Sequence, residues 1–97
     1  MVVIRQLTKD DVNFVLRLTR QEDWKEYTPL DIVRYLECEP NGCFMAEDRG
    51  KPVGHVFSIS YRKAGWIGLL IVHPDHRGRG VGTMLMITAI NYLKRIG

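Results

Sequence analysis

Ile71–Met86 reads IVHPDHRGRGVGTMLM. An apolar strand end meets Pro74, then two arginines and three alternating glycines, and the chain turns apolar again. A strand, a glycine-rich loop and a helix start together favour an anion. The first N–H groups of a helix lack partners within it, and the helix dipole is positive there. Gly78, Gly80 and Gly82 put no side chain in a ligand's way, while Arg77 and Arg79 add charge. The bland alternative is a plain turn whose glycines only shape the backbone. Two familiar phosphate motifs fail at named positions. A Walker loop needs lysine and then serine or threonine beside its last glycine, but Thr83 and Met84 follow Gly82. A dinucleotide fingerprint needs a glycine at its sixth position. Counting from Gly78 that place holds Thr83, and from Gly80 it holds Leu85.

Working outward, the period on either side of the loop differs. From Val81 onward, Leu85, Thr88, Ala89, Tyr92 and Ile96 follow helical spacing, with further apolar residues widening the arc. This predicts a mostly buried helix, with Lys94 and Arg95 in the last turn and Gly97 as its cap. Before the loop, Trp66–Val72 is nearly all apolar and reads as a strand buried on both faces. Val53–Tyr61 alternates, with Val53, His55, Phe57, Ile59 and Tyr61 on one face. Asp48–Lys51 is its hairpin turn, and Cys43–Glu47 its partner strand. Arg62–Gly65 reads as the next turn.

The first half opens on a strand, Val2–Arg5. Thr8 and Asp11 then mark a helix start, with Val12, Val15, Leu16 and Thr19 as its inner face. Gln21–Tyr27 is polar with two aromatics and reads as a loop or broken helix. Thr28, Pro29 and Asp31 start a second helix with Ile32, Val33 and Leu36 inside, ended by Pro40-Asn41-Gly42. The expected order is therefore β-α-α-β-β-β-α in one domain over residues 1–97.

Composition bounds the function classes. The 97 residues are 45% apolar and 26% charged, as in a folded water-soluble domain. No apolar run approaches a membrane span, and the opening residues do not resemble a signal peptide. Cys38 and Cys43 have no partner pair to complete a metal site, and both read as reduced, near-core residues of a cytoplasmic protein. Residues 1–72 carry ten basic and ten acidic side chains, so the net +3 lies beyond them. A local anion site fits that asymmetry; a nucleic-acid surface would need a broad basic stripe.

Leu69–Met86 resembles the acetyl-coenzyme A motif of the GCN5-related N-acetyltransferase (GNAT) superfamily. That motif is an apolar strand, often ending Val-x-Pro, then Arg-x-x-Gly-x-Gly or Ala opening a long helix. Val72, Pro74, Arg77, Gly80 and Gly82 match it. The opening VIRQLTKDD and the hairpin EDRGKPVGHVFS are similar to the family's first strand–helix step and its second and third strands. The resemblance implies a GNAT-like α/β fold, a mixed sheet flanked by helices, and acetyl transfer from acetyl-CoA to a primary amine, with no metal. It implies that Arg77, Gly78, Arg79, Gly80, Val81, Gly82 and Thr83 cradle the pyrophosphate. Leu70, Ile71 and Val72 would pair with the pantetheine arm, from a strand splayed at a bulge. A backbone N–H near Val72 would hold the oxyanion. Glu47 and His73 are the candidates for the proton, and Trp24, Tyr27 and His55 for acceptor contact. His76 reads as loop surface.

The family's pattern continues beyond this helix with a further strand, a helix and a final hairpin. That later helix commonly carries a tyrosine near the thiolate, and Tyr92 is too far along its own helix to be it. The expectation is a piece of a longer acetyltransferase, or a homodimer, covering an otherwise open sheet edge. The alternative function is a CoA-binding or protein-interaction module without transfer. Neither nucleic acid nor a membrane is expected as a partner.

Overall fold

The computed structural model describes residues 1–24, 27–61 and 64–96. Strand β1 is Val2–Gln6, helix α1 Val12–Gln21, helix α2 Pro29–Cys38, β2 Cys43–Asp48, β3 Lys51–Tyr61, β4 Ala64–Val72 and helix α3 Val81–Ile96. The order is the expected one. The strands form a sheet in the order β1-β2-β3-β4, antiparallel throughout these residues. Arg62, Lys63 and Gly97 lie outside the described residues, and with them the expected helix cap and half of the expected turn Arg62–Gly65, whose Ala64 and Gly65 belong to β4. Lys25 and Glu26, within the expected loop Gln21–Tyr27, lie outside them too.

Local chemistry explains the starts and turns. Thr28 Oγ1 accepts from the Asp31 N–H, and Asp31 Oδ2 accepts from the Thr28 N–H, with Pro29 opening α2. This reciprocal cap satisfies two groups that the helix cannot. The earlier start differs from expectation, because Lys9–Asp11 forms a 3-10 turn before α1. Asp11 accepts the Thr8 N–H and N–H groups from Nη1 and Nη2 of Arg5, at 2.8 Å each. In the β2–β3 turn both Arg49 and Gly50 have positive φ, which matches the twist of the flanking strands.

The sheet is the middle of three layers. On one face Val12, Val15 and Leu16 of α1 and Ile32 and Leu36 of α2 pack on Met45, Phe57 and Leu69. On the other, Val81, Leu85, Ala89 and Tyr92 of α3 pack on Phe44, Ala46 and Val56. Val53 belongs to this second cluster, not to the face of His55 and Phe57. A register shift at Ala46/Glu47, opposite Val53, breaks the strict alternation that placed it there.

Three burial expectations change. β4 is an edge strand, and only Leu69 and Ile71 of its residues are buried. α3 is buried along one face only, since Met84, Ile87 and Ile90 are exposed, Ile87 by 52%. Of the two cysteines expected near the core, Cys43 is buried but Cys38 is exposed, and both are free thiols. Burial pushes the Cys43 thiol up to about 12. Among the described residues no helix is long and apolar enough to cross a membrane.

Candidate active site

An open cleft of about 430 Å³ lies where β4 ends and α3 begins. Leu70, Ile71 and Val72 form one wall. His76, Arg77, Gly78 and Gly80 form the loop, and Val81, Gly82 and Thr83 the helix start. Glu22, just past the end of α1, closes the cleft from across.

The loop takes its shape from two glycines. Gly78 and Gly80 have φ of 77° and 80°, a region that a Cβ disfavours. The Gly80 carbonyl accepts the Met84 N–H and so begins the helix. The N–H groups of Val81, Gly82 and Thr83 then precede the first intrahelical donor and are available to a ligand. Gly82 is different. A Cβ there would meet only Val72 Cγ2, at 3.6 Å, an ordinary contact. Its bareness serves space in the cleft rather than backbone geometry.

The strand wall carries a second feature. His55 pairs with Ile71 and Phe57 with Gly68, so Leu69 and Leu70 together oppose Val56. This bulge puts Leu69 at φ 52°, an uncommon conformation for a branched, bulky residue. The His73 N–H donates to the Val53 carbonyl at 2.7 Å, so it faces β3. Backbone groups alternate along a regular strand, so those of Val72 face the open edge, while Leu70, inside the bulge, lines the cleft beside it. Arg77 Nε donates to the Val72 carbonyl at 2.9 Å, and its guanidinium also forms a close ion pair with Glu22.

The expected site residues divide. Leu70, Ile71, Val72, Arg77, Gly78, Gly80, Val81, Gly82 and Thr83 all line the cleft. Arg79 is exposed and does not line it. Glu47 is also apart from it. Its carboxylate pairs with Arg5 Nε at 3.1 Å across β1 and β2, because the pairing Val3↔Glu47 sets it beside that guanidinium. His73 Nδ1 accepts the Asp75 N–H at 3.2 Å and turns along the loop. His55 is not at the surface at all. It is 0% exposed, between Phe14 and Phe57, and its Nδ1 meets the Leu69 carbonyl at 2.7 Å. Burial drives its pKa down to about 4, outweighing the carbonyl, which favours the charged form. Trp24 and Tyr27 pack with the α1–α2 cluster. They begin an aromatic row that continues through Tyr35 to Trp66 on β4.

Two cleft residues were not expected. Glu22 gave no sequence signal, since it falls in a polar loop with no pattern. His76 is half-buried, with Nε2 3.5 Å from Asp48 Oδ2, because the β2–β3 turn folds back beside the loop. Tyr92 is directed away, its hydroxyl donating to Glu39. Among the described residues no group of three or more potential ligands is placed to hold a metal ion.

The profile of the Acetyltransferase (GNAT) family matches residues 9–97. The chain belongs to the GNAT family. An uncharacterised N-acetyltransferase of Methanocaldococcus jannaschii is 34% identical to this GNAT chain, over 97% of the chain and 49% of the relative. One from Archaeoglobus fulgidus is also 34% identical, over 92% of the chain and 71% of the relative. The chain thus spans about half the length of the first relative and more of the second. Among solved structures, the PaiA N-acetyltransferase of Thermoplasma acidophilum, in complex with coenzyme A, superposes with a TM-score of 0.87. That match covers 100% of this chain and 74% of the other at 14% identity, a likeness of fold.

Proposed function

We propose that this GNAT chain binds acetyl-CoA in the cleft between β4 and α3 and takes part in transfer of the acetyl group to a primary amine. The observation that carries the reading is the meeting, in one cleft, of an unpaired strand edge with a helix start shaped by left-handed glycines. The free N–H groups of Val81, Gly82 and Thr83 receive the pyrophosphate, with Gly78 and Gly80 shaping the loop and Arg77 and Arg79 supplying charge. The edge of Leu70, Ile71 and Val72 pairs with the amide groups of the pantetheine arm, as an added strand. The coenzyme A complex of a protein with the same fold supports this choice of ligand.

In the transfer, the amine nitrogen attacks the thioester carbonyl carbon. Charge passes to the oxygen, where one edge N–H near Val72, that of Leu70, receives it. The intermediate then expels the CoA thiolate. One proton leaves the amine nitrogen and one is returned to the thiolate. Glu47 is bound to Arg5 and stands apart from the cleft, so the base falls to Glu22, directly or through water. Arg77, which now holds Glu22, faces the pyrophosphate site, and the donor's phosphates would draw it off and release the carboxylate. Trp24 and Tyr27 form the acceptor side.

The uncovered β4 edge and the exposed Met84, Ile87 and Ile90 favour a second surface laid over them, a second copy or further polypeptide of the kind the longer relatives possess. A CoA-binding module without transfer is the competing reading. A panel of amines with acetyl-CoA, read as free thiol released and acetylated amine formed, decides between them. CoA binding without thiol release would favour the module.

A further inference from the structure

Leu69 and His55 form a pair that folding alone does not require. Leu69 holds a left-handed backbone that only glycine and a few polar residues adopt readily. His55 Nδ1 lies 2.7 Å from the Leu69 carbonyl, an acceptor, so Nδ1 carries the ring proton. Nε2 is then a bare lone pair, and it is buried with no hydrogen-bond partner. A polar atom left so in a core is rare. The chain thus keeps two unfavourable features side by side, a strained residue and an orphaned ring nitrogen. A phenylalanine at 55 and an unbulged β4 would remove both. What the pair does accomplish is to fix the bulge of Leu69 and Leu70 where Leu70 lines the cleft.

We propose that His55 is a positioning residue for the acyl-transfer site. Its Nδ1–H grips the Leu69 carbonyl, locks the bulge in β4 and aims the Leu70 N–H at the acetyl carbonyl. This rests on the reading of the cleft as an acetyl-CoA site, but the contact with Leu69 is present in the free protein.

The test compares His55→Phe with His55→Asn. Phenylalanine fills the space and removes the donor; asparagine leaves a void but sets an amide N–H near the position of Nδ1. In the free protein, the Leu69 Cα and Cβ chemical shifts report its backbone conformation. They should stay left-handed in the wild type and H55N and move to extended values in H55F. The wild-type imidazole should show the neutral Nδ1–H tautomer, a measurement that needs no variant. Calorimetry then compares acetyl-CoA with CoA. Wild type and H55N should prefer acetyl-CoA by about 3- to 10-fold, the worth of one hydrogen bond. H55F should lose that preference while its CoA affinity is kept. A purely packing role predicts the reverse order, with H55F intact and H55N impaired. That order, a Leu69 still left-handed in H55F, or an Nε2–H tautomer overturns the proposal. Folded wild type that binds neither ligand refutes the acetyl-CoA reading instead, and the Leu69 shifts still judge the grip.

Discussion

Mild acid should destabilise this domain through His55. The ring is 0% exposed, and its pKa falls from 6.5 to about 4 on burial. The unfolded chain takes up this proton near pH 6.5, and the folded chain does so only near pH 4. Between those values the unfolded state binds more protons, so lowering the pH favours it. The contribution is fully present above pH 6.5 and is lost as the pH falls toward 4. At 1.36 kcal/mol per unit, the loss is about 2 kcal/mol at pH 5 and about 3 kcal/mol at pH 4. Asp11 and Asp48 titrate lower. Burial works against Asp11, but Arg5 holds its carboxyl below the usual range; the N-terminal amine does the same for Asp48. Their effect therefore sets in at lower pH than that of His55. Urea unfolding at pH 7, 6 and 5, on the wild type and His55→Asn, isolates the ring. The stability difference between the two should shift by about 2 kcal/mol over that range. A difference independent of pH would mean that the ring is solvated and that the packing of Phe14 and Phe57 around it is wrong.

Three further outcomes follow from named contacts. In a transfer assay Glu22→Gln should lower kcat by about 100-fold. Glu47→Gln should leave kcat unchanged, because that carboxylate serves Arg5, and equal effects of the two would refute the assignment. Tyr92→Phe removes the hydroxyl that donates to Glu39, whose other oxygen still accepts the Ser60 N–H. Urea melts should show a loss of about 1–2 kcal/mol. Gly80→Ala, at φ 80°, should destabilise by about 1–2 kcal/mol, whereas Gly82→Ala, helical and with only an ordinary contact, should be neutral or stabilising by up to about 1 kcal/mol.

The sequence carried the element order because its signals are local. Thr28, Pro29 and Asp31 act within four residues, and the spacing Val81–Leu85–Ala89–Tyr92 is a property of one helix. The loop Arg77–Thr83 was legible for the same reason. What escaped were effects of register and of distant folding back. One extra residue in β3 turned Val53 over, and one in β4 set Leu69 left-handed beside His55. The partner of Glu47 is Arg5, fixed by the β1–β2 register, which no spacing in either strand encodes. Glu22 reaches Arg77 across 55 positions of chain, and nothing in QEDW announces it. Apolar content misled twice, at β4 and α3, because it does not say which face is covered.

The central claim is that the Arg77–Thr83 loop and the β4 edge hold the donor. Gly82→Asp puts a carboxylate among the N–H groups meant for the pyrophosphate, at a helix start that accepts acidic residues and with local space for its Cβ. Isothermal titration of acetyl-CoA into the folded wild type and into G82D tests the claim most directly. The wild type should bind, and G82D should fold with unchanged stability and show no measurable binding. A folded wild type that does not bind, or a G82D of equal affinity, would contradict it.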